Sequence, residues 1–255
     1  MKISSEWHKK FFRNSFYNPA SPAAAAKAPM ETAFVLKKMR LKKGSKVLDL
    51  CCGPARHSIL LTKKGMDVTG YDYSKDYLKE AAAKAKKAKV PLRLVRGDMR
   101  RLKFRGEFDA VINLFTSFGY FPKFSDDIKT LKGAARALKP GGLLMIDIVH
   151  GDFVRGNFRS KYWTAPADGS YHLEESVLTK DGTLCAWTII KKGKVQGQRF
   201  FTRLYSKARI SSALRAAGLK PLKFWGGFTG VPLTPKTDRL IVLARKPGPV
   251  CKLFN

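Results

Sequence analysis

Acidic residues are scarce in this chain: 19 Asp and Glu stand against 50 Lys and Arg, a formal net charge of +31. Such an excess leaves two readings open, a footprint for a polyanion or a solvated basic surface. The cations are spread in doublets (Lys9-Lys10, Lys37-Lys38, Lys42-Lys43, Lys63-Lys64, Lys191-Lys192) and one helical run from Lys79 to Lys89. No basic tail and no stripe with interleaved aromatics marks a nucleic-acid surface. Cysteines number four, and Cys51-Cys52 is the sole close pair. Without a C-x-x-C spacing, neither a zinc site nor a disulfide framework is indicated. No apolar run approaches the ~20 residues of a membrane span. Residues 1–10 carry no apolar signal-peptide core, so a cytoplasmic location and no membrane partner are expected.

Against these absences, 255 residues with 44% hydrophobic content suffice for one α/β domain with an elaboration. An aromatic start (Trp7, Phe11, Phe12, Phe16) suits a short amphipathic helix packed on a core, and Pro29 opens a second helix. Short apolar runs then alternate with helical patterns: strands at 46–50, 66–71, 90–96, 108–114 and 143–149, helices at 58–64, 74–89 and 126–138. That rhythm predicts a doubly wound, Rossmann-like, mostly parallel sheet with helices on both faces. After His150 the pattern turns to strand–turn–strand, with hairpin signals at Asp181-Gly182 and Lys192-Gly193. Helix at 206–217 and strands at 219–225 and 240–244 complete the expected order. The implied organisation is a helical cap over 1–42, a core over 43–154 and 206–246, an antiparallel insert or lid over 155–205, and a tail over 247–255.

The densest signal is Asp49-Leu50-Cys51-Cys52-Gly53-Pro54-Ala55-Arg56, an apolar strand running into a turn of small residues and then a helix. Nineteen residues after Gly53, the second strand ends at Asp72, where nucleotide-binding folds place the carboxylate that grips ribose. A dinucleotide turn requires G-x-G-x-x-G, but Cys51, Gly53 and Arg56 occupy those positions. Arg56 would obstruct close helix–strand packing, which disfavours NAD and FAD and suits a nucleoside without a pyrophosphate. Asp49 and Asp72 as plain helix caps, and Met99 as plain core, are the simpler alternatives.

Over residues 46–149 the chain resembles the class I S-adenosylmethionine-dependent methyltransferases. Asp49, Cys51, Gly53 and Ala55 match the family's first motif, with Cys51 and Ala55 standing where glycine is usual. Asp72, followed by Tyr73, matches its strand-2 acid, Asp98-Met99 its adenine site, and Leu138-Lys139-Pro140-Gly141-Gly142 its turn into strand 5. The resemblance implies S-adenosylmethionine as cofactor and S-adenosylhomocysteine as product. It places Asp72 on the ribose, Asp98 and Met99 on adenine, and Gly53 against the methionine part. Asn113 and Phe115 would lie near the methyl, and Tyr17 and Arg56 would close over the amino-acid end.

The acceptor is weakly encoded, because displacement from a sulfonium asks mainly for proximity and alignment. Asn113-Leu114-Phe115-Thr116 lacks the prolines of exocyclic-amine base methylases, and no cysteine sits where a cytosine-C5 enzyme needs one. The plan is similar to small-molecule N- and O-methyltransferases with a β-rich insert. Arg203 and Tyr205 share a strand face and are candidates to bind substrate. His150, at the carboxyl edge of the sheet, is the candidate general base, with a surface-loop histidine as the alternative. A small-molecule acceptor is favoured over RNA or a ribosomal protein docked on the basic surface. A non-catalytic binding or scaffold protein ranks last.

Overall fold

A computed structural model describes residues 3, 7, 11, 12, 19, 21–166 and 168–248. Trp7 and Phe11 are helical, and the first helix with described bounds, α1 (Pro22–Met39), starts earlier than Pro29 suggests. Ser21 Oγ caps it by accepting from Ala24 N–H at 3.3 Å, and Pro22 supplies a pre-set first turn. Pro29 is carried inside.

The alternation follows as expected: β1 (Lys46–Leu50), α2 (Arg56–Lys63), β2 (Asp67–Asp72), α3 (Lys75–Lys87), β3 (Arg93–Arg96), β4 (Phe108–Asn113), α4 (Phe124–Ala137) and β5 (Leu138–Val149). Strand β3 begins three residues later than the apolar pattern suggests. Val90 N–H is consumed by Ala85 O at the end of α3, and Pro91 has no N–H to give. At the other end of the sheet, Lys139-Pro140-Gly141-Gly142 does not end a helix before a separate strand. It forms an irregularity within β5, where the register jumps from Phe108↔Leu138 to Ala110↔Leu143.

A short helix α5 (Gly151–Gly156) leads into β6 (Lys161–Thr164), β7 (Tyr171–Leu178), β8 (Gly182–Lys191) and β9 (Lys194–Arg203), a separate four-stranded antiparallel sheet. Lys192 and Gly193 turn β8 into β9 with φ of 49° and 71°, as a two-residue hairpin requires. Then come α6 (Lys207–Ala216), β10 (Lys220–Trp225) and β11 (Arg239–Arg245). The main sheet runs β10-β11-β5-β4-β1-β2-β3, parallel from β5 to β3, with β11 antiparallel to both its neighbours.

Period-2 alternation builds two cores. Leu48, Leu50, Val111 and Ile146 face α4 and α6, while Val47, Ala110, Ile112 and Met145 face α1 and α2. Trp7 and Phe11 pack in a third cluster with Cys185 and Phe200, though Phe11 also lines a cavity, and Phe16 lies outside the described residues. Among the described residues no helix is long and apolar enough to cross a membrane.

Candidate active site

The turn after β1 is wound by left-handed residues: Cys51, Gly53 and Ala55 have φ of 64°, 54° and 63°. Glycine adopts this region freely, whereas an L side chain pays about 1–2 kcal/mol. Backbone bonds hold the turn open: Cys51 and Cys52 N–H donate to Tyr71 O at 2.7 and 3.1 Å, and Gly53 N–H donates to Asp72 Oδ2 at 2.8 Å. Asp72 Oδ1 accepts from Ser74 N–H at 2.8 Å. A carboxylate has about four acceptor positions; with the Tyr73 amide also acting on it, about one remains for a hydroxyl group. Burial pushes the Asp72 carboxyl up to about 6, against the pull of the Ser74 and Gly53 amides.

Asp72 opens on a cleft of about 820 Å³, counting its mouth, lined also by Cys51, Gly53, Tyr73, Asp98, Met99, Phe115 and Phe121. One wall is Gly97, where a Cβ would collide with the Tyr71 hydroxyl and Cζ. The Asp98 carboxylate is gripped by the Arg100 guanidinium, with Nη2 at 2.6 Å and Nε at 3.0 Å. Met99 Sδ lies 3.4 Å from the Cys51 thiol. A slot with carboxylates at two strand ends and a thioether and aromatic ring beside them fits an adenosine.

Asp49 lies deeper, buried and accepting from Ser58 Oγ at 2.6 Å; burial raises its carboxyl. It and Arg56 line a small adjoining hollow with Cys51, Gly53 and Phe115. Arg56 stacks over the Phe115 ring at 4.2 Å and donates to Pro19 O at 2.7 Å. The sequence reading missed Glu31, whose Oε2 sits 2.6 Å from His57 Nε2 and 3.5 Å from Arg56. Burial works against ionisation of Glu31, but the His57 contact and the Arg56 charge outweigh it and hold its pKa low.

Other candidates fall elsewhere. Tyr17 lies outside the described residues. Asn113 Nδ2 donates to Leu50 O at 2.8 Å, and its amide ties β4 to β1 without lining the cleft. Ala55 is fully buried and shapes the turn through its backbone. Arg203 and Tyr205, expected in the substrate pocket, turn inward instead. Arg203 Nε and Tyr205 Oη both donate to Asp127 Oδ2 at 2.7 Å, and all three side chains are buried. His150, the expected base, is buried with Nδ1 3.0 Å from Thr237 O and Nε2 3.3 Å from Asp152. No histidine lines the cleft among the described residues.

A second cavity of about 1,400 Å³, counting its mouth, separates the antiparallel sheet from the main one. Phe115, Thr116 and Tyr120 border both cavities. Asp147 fixes this partition: its Oδ2 accepts from Phe115 N–H at 2.8 Å, while Oδ1 accepts from Arg239 Nε at 2.8 Å. Arg239 also donates to Thr116 Oγ1 at 3.0 Å. The signal for Asp147 was in the sequence, a lone acid in an apolar strand; its partner, 92 residues away, was not.

Comparison with known proteins agrees with this geometry. A family model described as a methyltransferase domain matches residues 47–142. The demethylmenaquinone methyltransferase of Staphylococcus carnosus is 41% identical over 113 residues, 43% of this chain and 45% of that protein. The first curated relatives are thus matched over about half of their length. A dTDP-3-amino-3,4,6-trideoxy-alpha-D-glucopyranose N,N-dimethyltransferase of Streptomyces venezuelae is 28% identical over 219 residues, 77% of this chain and 87% of that protein. The same fold occurs in an S-adenosylmethionine-dependent methyltransferase of Clostridium acetobutylicum, with a TM-score of 0.78 at 20% identity, covering 87% of this chain and 92% of that one.

Proposed function

We propose that this chain, a class I S-adenosylmethionine-dependent methyltransferase, transfers the methyl group to a nitrogen or oxygen of a small molecule held in the second cavity. The observation that carries this reading is that the two cavities adjoin, with Phe115, Thr116 and Tyr120 lining both. When bound, S-adenosylmethionine supplies an electrophilic methyl on a sulfonium that leaves as a neutral thioether. Asp72 would take a ribose hydroxyl on its remaining acceptor position, by a charge-assisted bond. Met99 and Phe121 cover adenine, and Asp98, held by Arg100, accepts from its amino group. Arg56, anchored by Glu31, faces the amino-acid carboxylate. Phe115 and Tyr120, which line both cavities, would exclude water from the place where cofactor and acceptor meet. No histidine lines either cavity among the described residues. An unprotonated amine needs no base before attack and loses its proton afterwards to water, so nitrogen is favoured over hydroxyl oxygen.

The test is transfer of labelled methyl to panels of small amines, small alcohols and RNA across a salt series. Label in a small amine at rates insensitive to salt supports the reading. Label in RNA alone, falling steeply with salt, overturns it. The RNA alternative has one observation in its favour: a groove lined by Lys37, Lys38, Arg40, Lys223 and Arg245 around Trp225, at the β10 edge of the sheet.

The Asp72 carboxyl sets a pH dependence with two opposite signs. Hydroxyl groups bind its ionised form, so cofactor affinity falls as pH drops through about 6. Calorimetric titration with S-adenosylhomocysteine should give about tenfold weaker binding at pH 5 than at pH 8, and Asp72→Asn should flatten that slope. For the cofactor-free protein the sign reverses. A carboxyl whose folded pKa lies above its unfolded one near 4 contributes more stability as pH falls through that interval.

A further inference from the structure

Glu174 stands in the middle of the antiparallel sheet, on β7, directly opposite Tyr162 of β6 and Trp187 of β8. Directly paired residues project to the same face, as does Ser176 two positions along β7. All four side chains line the second cavity. Oε2 of Glu174 accepts from the Tyr162 hydroxyl at 2.8 Å and from the Trp187 indole N–H at 2.5 Å, and Oε1 accepts from Ser176 Oγ at 2.8 Å. Three donors from three different residues fix the carboxylate and leave about one acceptor position unfilled.

What is missing within ion-pair distance of it is a cation: Arg159 and Arg239 line the same cavity, but Arg239 pairs with Asp147 and neither pairs with Glu174. The chain carries 50 Lys and Arg, and the neighbouring acids use them: Glu175 pairs with Lys161 and Asp168 with Lys191. Among the described residues no Lys, Arg or His lies within ion-pair distance of Glu174. A half-buried carboxylate, locked in place and unpaired on a protein of such excess positive charge, is matched to a positive charge from outside. Its surroundings suit an organic cation: Tyr162 and Trp187 touch the carboxylate, and Phe153 and Phe158 share the cavity wall. Aromatic faces attract ammonium groups and accommodate the carbon attached to them.

We propose that Glu174 is an ammonium-recognition site, and that the methyl acceptor is a cationic amine anchored there by a protonated nitrogen. This rests on the methyl-transfer reading only for the identity of the ligand as acceptor; the cation site itself stands without it. A carboxylate contact stabilises the protonated state, and an ammonium has no lone pair to attack with. The nitrogen at Glu174 is therefore the handle, and the methyl goes to a second nucleophilic atom of the same molecule, placed toward Phe115 and Thr116.

The test uses the full chain, with benzylamine as probe and benzyl alcohol and benzoate as its neutral and anionic counterparts, read by ligand-observed NMR at neutral pH. Benzylamine, protonated under these conditions, is expected to bind at least about tenfold tighter than benzyl alcohol, with benzoate weakest. Glu174→Gln keeps the size and most of the hydrogen bonds but removes the charge, and it should erase the difference. Equal binding of benzylamine and benzyl alcohol by the unaltered protein overturns the proposal, whether or not the variant folds. So does a preference for benzylamine that survives in folded Glu174→Gln. Calorimetry with S-adenosylhomocysteine separates the two readings. Failure of that binding with the amine preference intact removes the methyl-transfer reading and leaves the cation site, while the converse removes the cation site alone.

Discussion

Asp72→Ala is expected to weaken S-adenosylhomocysteine binding by about 10–150-fold, the value of hydrogen bonds to a charged acceptor. Two features make the effect large. Asp72 is nearly buried, so water does not replace it well, and the same carboxylate accepts the Gly53 and Ser74 amides that shape the turn. Asp72→Asn should retain part of the turn while losing one acceptor, and should fall between the two. Isothermal titration measures both. Unchanged affinity in Asp72→Ala would remove the ribose assignment and with it the placement of the nucleoside.

The largest expected loss of stability lies away from the cleft, at Arg203. Its guanidinium and Asp127 are both almost completely buried, and Arg203 also donates to Phe121 O and Pro122 O at 2.8 Å. Arg203→Met leaves the Asp127 carboxylate uncompensated, at a cost of about 3–5 kcal/mol. For a chain of this size that is a fall of about 6–20 °C in melting temperature. Burial already lifts Asp127 to about 6, and Arg203 is one of the groups holding it down. The deficit should shrink as pH falls and the carboxyl takes up a proton. Adding Asp127→Leu to Arg203→Met should recover most of the loss, since removing both charges leaves no buried ion. Thermal melts of the single and double variants decide this; a single variant as stable as the parent would show the pair to be dispensable.

How far the sequence reaches differs between the two halves of the site. Asp49, Cys51, Gly53, Asp72, Asp98 and Met99 were legible because each sits at the carboxyl end of a strand or in the turn just after it. In a parallel sheet those ends converge on one edge whatever the packing details. The departures at Cys51 and Ala55 were legible too, and both residues hold the left-handed backbone that glycine would take more easily. Arg203 and Tyr205 show where the reasoning stops. Alternation says that they share a face; it does not say which face meets a cavity, and Asp127, more than 70 residues earlier, claims both. His150 sits at the expected edge, but its ring is turned to Thr237 O. Glu174 was invisible because its meaning lies in cross-strand partners on β6 and β8, and nothing along β7 announces them.

Phe115 and Thr116, with φ of 59° and 54°, are clamped by Asp147 from one side and Arg239 from the other. A partition pinned in this way has little room to yield to a larger or smaller guest. On the proposed reading, changes in acceptor preference come through the outer sheet, where Tyr162, Glu174 and Trp187 line the second cavity and not the nucleoside slot. A chain working in this way would keep its donor chemistry on an unyielding frame and its selectivity on an adjustable façade.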